Sequence, residues 1–400
     1  MDAMISSKNN NYSTSSRHDK PRLAAFLVGD LEKDPAAATK YGLLFRSLKR
    51  HYGEVNVYDV SLKGIAHLWN GLRAFHPILR TWKERSYKNP DAFVNRSRIA
   101  ARVINNQEGN FDMAVQVGVL YNACLNIAHM PLLIYTDYTA RLSAEDPYRF
   151  RSPWQGDQLA RWIDYECQTY LRAAHIFTRS ELIREDIVNR YRISAERVSE
   201  VGGGVNFDPL PVPLIRVSKD DAVVLFIGSN FLRKGGDLLL KAFVIARKRF
   251  PKIRLQVLTR DKIPPIYPME GVETIPYVWD RERIARLYAD ADLFVLPSRL
   301  ETWGDVILEA AAYSLPSIGT HGQAMEEIIK DGETGLLVPK DNIEELANAL
   351  MSLLSDPGRR QRMGWKARQR AESFYTWDHV VERMAPVINS VFMNYRARRS

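Results

Sequence analysis

The tightest constraint in this 400-residue sequence is a strand–loop–helix unit between Asp292 and Tyr313. Asp292-Leu293-Phe294-Val295-Leu296 is an unbroken apolar run, the pattern of a parallel strand covered on both faces. Val306 to Tyr313 is apolar and Ala-rich, as a buried helix requires. Between them lies Pro297-Ser298-Arg299-Leu300-Glu301-Thr302-Trp303-Gly304-Asp305, a loop whose glycine lets backbone amides approach a ligand closely. A strand, a glycine loop and a helix N-terminus together form an edge that accepts anions and sugars. Two carboxylates bracket this edge, Glu301 in the loop and Glu309 about one turn inside the helix. Ionised carboxylates accept hydrogen bonds and donate none, so they suit vicinal hydroxyls.

The rest of the chain is long enough for two domains with cores of their own, and 46% hydrophobic with 26% charged residues fits a globular protein. Two cysteines, Cys124 and Cys167, give neither a disulfide framework nor a metal cluster and point to a reducing compartment. Residues 1–20 are polar, rich in Ser and Asn, and read as a disordered tail without a signal peptide. No run reaches the ~18 apolar residues of a membrane span. The expectation is therefore a cytoplasmic protein, with attachment at a membrane surface left open. A net charge of +9 permits a polyanionic partner, but no zinc-finger or RNA-recognition pattern supports nucleic acid.

Leu23 to Val28 reads as the first strand and ends at Gly29-Asp30. Thr39 to His51 has apolar positions at helical spacing with Thr39 as its cap, and Val55 to Asp59 is a second strand. This order is a Rossmann-like opening. Met113 to Val117 and Leu132 to Thr136 are later strands, the second followed by Asp137 at the end where open α/β sheets place ligands. Trp154 to Ala174 is a long helix, His175 to Thr178 a strand, and Ser180 caps the helix after it. Three glycines, Gly202-Gly203-Gly204, suit a tight turn. The second half opens with the strand Ala222 to Ile227, ending at Gly228, and a loop Ser229 to Gly236 enters the next helix. From Ile65 to Arg102, Trp69, Phe75, Trp82 and Tyr87 alternate with eight cations. Such a stretch either lies on an anionic membrane or charged acceptor, or buries its aromatics and leaves its cations in water.

The Glu301 and Glu309 spacing, E-x7-E, is followed by Gly319-Thr320-His321-Gly322-Gln323-Ala324-Met325-Glu326-Glu327-Ile328-Ile329 and Asp331-Gly332-Glu333-Thr334-Gly335-Leu336-Leu337-Val338-Pro339. Together these resemble the retaining glycosyltransferases of the GT-B fold, glycosyltransferase family 4-like (glycosyl transferases group 1). The resemblance is dense from Val223 to Val338 and only topological before Thr178. It implies two Rossmann-like α/β domains facing a cleft, with a C-terminal helix crossing back. The expected division is a tail over 1–20, an acceptor domain over 21–207, a linker over 208–220, a donor domain over 221–373 and the returning helix over 374–400.

The resemblance also implies roles. Glu309 takes the ribose hydroxyls and Glu301 the transferred sugar, with Thr302, Trp303 and Gly304 beside them. Arg233 and Lys234 hold the donor diphosphate after Gly228, Ser229 standing where the family has arginine. Val278 meets the nucleobase through its backbone. Gly29 and Asp30 lie on the acceptor side, and Asp137 stands where the family usually has a histidine. With Glu301, Lys234 and Arg233, Asp137 completes the expected catalytic set. A UDP-, GDP- or ADP-sugar is the expected donor and a hydroxyl on a sugar, lipid-linked or small molecule the acceptor, with no metal and no cofactor. The departing phosphate then helps deprotonate the acceptor. Alternatives on the same fold are a disaccharide synthase or phosphorylase, and a catalytically silent nucleotide-sugar-binding subunit.

Overall fold

The computed structural model describes residues 20–146, 153–213 and 221–398. Nearly all of the expected tail, 1–19, lies outside the described residues, as do 214–220 of the expected linker.

Twelve named strands form two parallel sheets. The first contains β1 (Leu23–Leu27), β2 (Val55–Asp59), β3 (Met113–Val117), β4 (Leu132–Thr136), β5 (His175–Thr178) and β6 (Val198–Glu200) in the order β2-β1-β3-β4-β5-β6. The second contains β7 (Val223–Ile227), β8 (Arg254–Thr259), β9 (Val272–Pro276), β10 (Leu293–Val295), β11 (Ser317–Thr320) and β12 (Gly335–Val338) in the order β12-β11-β10-β7-β8-β9. Register follows the apolar pattern: Leu23 lies opposite Val55 on one side and Met113 on the other. Leu23, Ala25 and Leu27 enter one core while Ala24 and Phe26 enter another, because successive side chains alternate faces. Both faces are covered, so the strand reads as continuously apolar.

In the first half, α1 (Pro35–Tyr52) follows β1, and α2 (Gly64–Arg73), α3 (Leu79–Tyr87) and α4 (Pro90–Asn106) follow β2. Next come α5 (Ala140–Glu145), α6 (Gly156–Arg172) and α7 (Glu181–Arg190). In the second half, α8 (Gly236–Arg249), α9 (Arg281–Asp290), α10 (Asp305–Ala312) and α11 (Met325–Ile328) alternate with strands. The chain closes with α12 (Ile343–Ser355), α13 (Pro357–Phe374) and α14 (Trp377–Ala397). The first of these helices begins before the expected Thr39: the Asp34 carboxylate accepts from the Ala36 amide at 2.9 Å and Pro35 occupies the first turn. An Asp-Pro cap outranks a threonine already inside the helix.

The C-terminal helix returns to the first half, as the resemblance implied. Trp377, Val380, Val381, Met384 and Ile388 fill the same core as Leu23, Ala25 and Leu44. The Ser47 hydroxyl donates to the Trp377 carbonyl at 3.1 Å, and Arg50 grips Asp378 at 2.7 and 2.8 Å. Among the described residues no helix is long and apolar enough to cross a membrane.

Candidate active site at the facing strand ends

In an open parallel sheet the crevice opens where strand order reverses. In the second sheet that point lies between β7 and β10, since β8 and β9 run off one side and β11 and β12 off the other. The loops after these two strands are Gly228–Gly235 and Pro297–Gly304, the stretches singled out in the sequence. They touch. A Cβ added at Gly235, whose φ is +73°, would lie 2.0 Å from the Pro297 carbonyl oxygen. Glycine is therefore required both for the left-handed turn and for the close approach.

Four ion pairs among the described residues populate this reversal. The Lys234 ammonium is paired with the Glu301 carboxylate, both side chains nearly buried. Burial lowers the Lys234 pKa and Glu301 pulls it back up. Glu309 is likewise buried: it receives Arg281 at 3.0 Å and the Tyr288 hydroxyl at 3.0 Å. Burial raises the Glu309 pKa, with Arg281 opposing. Arg299 clamps Asp237 at the start of α8 through two bonds of 2.7 and 2.9 Å, and its Nε reaches Asp341 at 2.5 Å. The Arg233 guanidinium turns under the loop to donate to the Leu300 carbonyl, and is 4% exposed. Lys234 thus faces Glu301 itself while Arg233 supports the loop that carries it.

The first sheet presents its own strand ends to the same gap. Gly29, at φ +125°, donates its amide to Asp59 at 3.1 Å and to Ser61 at 3.0 Å, and Asp30 accepts from the Glu32 amide at 2.9 Å. Asp137 is no helix cap, since Thr139 caps α5; its carboxylate receives Lys40 at 2.6 Å. Arg179, fully buried after β5, crosses to Asp305 at the start of α10 at 2.7 Å. The rings of Tyr41, Tyr135 and Trp377 surround it at 5.7, 5.5 and 5.4 Å. Burial works against the Arg179 charge, but the fields of Asp305, Tyr135 and Asp137 override it and raise the pKa above the ordinary arginine value. The Ser180 hydroxyl caps α7 and also donates to the Thr302 carbonyl at 2.9 Å.

Of the three glycines, Gly202 takes the left-handed conformation of a turn, at φ +74°, while Gly203 and Gly204 have a different reason. Trp303 lies against Gly203, where a Cβ would come within 2.7 Å of its indole nitrogen, and Trp377 lies against Gly204, where the separation would be 2.5 Å. Two tryptophans press on backbone that has no room for side chains.

Known proteins place this geometry. Residues 215–370 match the family Glycosyl transferases group 1. These residues place the second half of the chain among the group 1 glycosyltransferases. This glycosyltransferase is 26% identical over 326 residues to the MMP alpha-(1->4)-mannosyltransferase of Mycolicibacterium hassiacum, covering 78% of the chain and 77% of that protein. In fold it is similar to the sucrose-phosphate synthase of Thermosynechococcus elongatus, with a TM-score of 0.66 at 18% identity over 94% of this chain and 100% of that one. Anabaena HepE, whose structure holds UDP-glucose, gives a TM-score of 0.62 at 15% identity over 92% of this chain and 100% of that one. The two six-stranded parallel sheets and the returning C-terminal helix are the GT-B fold. As an enzyme, the glycosyltransferase moves sugar from a nucleotide-sugar donor.

The structure brings Gly228, Arg233, Lys234, Glu301, Thr302, Gly304 and Glu309 to one reversal point, with Ser229 half-buried at its head. Val278 lies just past β9 in the loop entering α9, half-buried. Sequence reasoning placed Lys33 to Lys40 along the cleft but did not find Arg281, Tyr288, Arg179 or Asp305 as site residues. The available signal was position alone: Arg179 and Asp305 each stand where a buried strand end or a helix start meets the gap.

Proposed function

We propose that the reversal between β7 and β10 binds a nucleoside-diphosphate sugar and that the glycosyltransferase transfers the sugar with retention to an acceptor hydroxyl. The Lys234–Glu301 pair carries this reading. A buried cation and carboxylate already matched at a ligand edge can exchange partners: Lys234 turns to the diphosphate and Glu301 becomes an acceptor for sugar hydroxyls. As the leaving diphosphate gains charge, Lys234 offsets it with Arg233 close behind, and amides around Gly304 add their dipoles. Glu309, oriented by Arg281 and Tyr288, accepts from the ribose. Val278 offers its backbone to the base.

On the other wall, Gly29, Asp30 and the Lys40–Asp137 pair face the acceptor. No protein general base is assigned, so the departing phosphate takes the acceptor proton. UDP-, GDP- and ADP-sugars all satisfy these contacts.

A thermal-shift screen of these donors, followed by NMR of the product anomer, tests the proposal. A donor at ~100 times its Kd stabilises by ~2.7 kcal/mol. Lys234→Ala and Glu309→Ala should each lower kcat/KM by roughly 10- to 150-fold, the worth of a charge-assisted bond of ~1.5–3 kcal/mol. Both variants within twofold of the parent, or an inverted product, would remove the reading.

A further inference from the structure

The helix α2 is inside out. Ile65, Leu68, Trp69 and Leu72 recur at i, i+3, i+4 and i+7 and form one stripe, which in a globular protein normally faces the core. Here those side chains are 60–73% exposed. The buried side chain of the helix is instead polar: Asn70 donates to the Ser86 carbonyl at 2.6 Å and accepts from Asn89 at 2.8 Å. Phe75, Ile78 and Leu79, between α2 and the first turn of α3, are 56–65% exposed and continue the patch. Seven of the eighteen large exposed apolar residues named among the described residues therefore fall within fifteen positions. The alternative in which this stretch buries its aromatics fails for Trp69, Phe75 and Tyr87, and two of its cations, Lys88 and Arg96, are buried instead. An apolar area of this kind marks a binding surface, since monomers rarely expose so much contiguously.

The charge around the patch says what covers it. Residues 63–85 contain five Lys and Arg, namely Lys63, Arg73, Arg80, Lys83 and Arg85, against a single acid, Glu84; Lys63, Arg73 and Arg80 also pair with Asp59, Asp91 and Asp261 but remain 60–71% exposed. Glu84 is already bonded to Lys88 at 2.8 Å. An outward apolar stripe with an indole, rimmed by cations, matches the boundary between acyl chains and anionic headgroups. The patch also borders the cleft: Arg80 on α3 pairs with Asp261 at 3.1 Å, and Asp261 accepts from the Phe231 amide in the loop after β7. We infer that α2 and the start of α3 dock on an anionic lipid bilayer, seating the cleft mouth at the headgroup layer.

Flotation of the full-length protein with vesicles tests this. Binding should appear on phosphatidylcholine containing about 30 mol % phosphatidylglycerol, be weak on phosphatidylcholine alone, and fall when salt rises from about 0.05 to about 0.5 M. The triple variant Ile65→Ser/Leu68→Ser/Leu72→Ser should lose roughly tenfold or more of the bound fraction. Leu171→Ser, at an exposed leucine elsewhere, should bind like the parent. Thermal shifts by nucleotide sugar should be the same in parent and triple variant, so the result does not depend on the donor reading. The inference is overturned if the parent stays unbound on anionic vesicles, if the triple variant binds equally, or if light scattering finds a dimer that the triple variant abolishes.

Discussion

Two parallel six-stranded sheets turn their C-terminal ends toward one gap, and they carry charge there in different ways. The second sheet pairs its charges within its own half: Lys234 with Glu301, Arg299 with Asp237, Arg281 with Glu309. The first sheet keeps some pairs at home, Lys40 with Asp137 and Lys63 with Asp59 among them, and sends its most buried cation across, Arg179 to Asp305. The second sheet's wall is thus self-contained in charge, which suits the donor-binding surface proposed for it. The facing wall supplies a strut that sets its distance from that surface. The difference teaches that similar topology can serve ligand chemistry on one side and spacing on the other.

The largest effect is expected where the two donor loops meet. Gly235→Val puts a branched side chain at φ +73° and against the Pro297 carbonyl, so more than about 3 kcal/mol of stability should be lost. Urea unfolding reads this; a change under about 1 kcal/mol would show that the loops are not in contact. Next, Arg179→Met should destabilise the fold by about 2–3 kcal/mol, leaving Asp305 without its cation. Lys234→Met leaves the nearly buried Glu301 without its cation, so it should also cost about 1–3 kcal/mol, but unlike Arg179→Met it should weaken the donor thermal shift. If instead Arg179→Met weakened the donor thermal shift as much as Lys234→Met does, the contrast between strut and binding surface would be broken. Lys40→Met, which opens a partly exposed pair, should cost about 1 kcal/mol at most and act on acceptor KM before donor KM.

The smallest effect concerns pH. Glu327 bridges the halves by accepting from the Glu181 amide at 3.0 Å, and burial, then the neighbouring Glu200, pushes its pKa up to about 7. A carboxyl raised in the folded state holds its proton longer than in the unfolded chain, so its contribution is present at low pH. That contribution is lost as pH rises from the ordinary glutamate range through about 7. Glu327→Gln should flatten the stability profile across this window, as thermal melts at stepped pH will show; an unchanged slope would assign the titration elsewhere.

Much of this was legible in the sequence because it is local. The unbroken apolar runs that become β7 and β10 cannot be confused with surface; Lys234 and Glu301 lie within a few residues of them, and Glu309 sits in the apolar helix that follows β10. Arg179 could not be read the same way. Its partner is 126 residues distant, and a lone arginine after a strand has no periodicity to betray it. Arg281 and Tyr288 escaped for the same reason, being defined by what they hold rather than by spacing. In α2 the period was visible but not its direction, because a helical stripe shows that two faces differ without showing which one faces the core.

Because α14 lies in the first core beside β1, the backbone leaves the first half after β6 and comes back before Trp377. The second half is therefore an insertion, held by two covalent stalks rather than one. A body on two stalks swings about the line joining them and resists twisting, so opening and closing should follow one hinge axis. Cutting the chain ahead of Trp377 would do more than free an end: it would strip one face of the first sheet and leave the second half on a swivel.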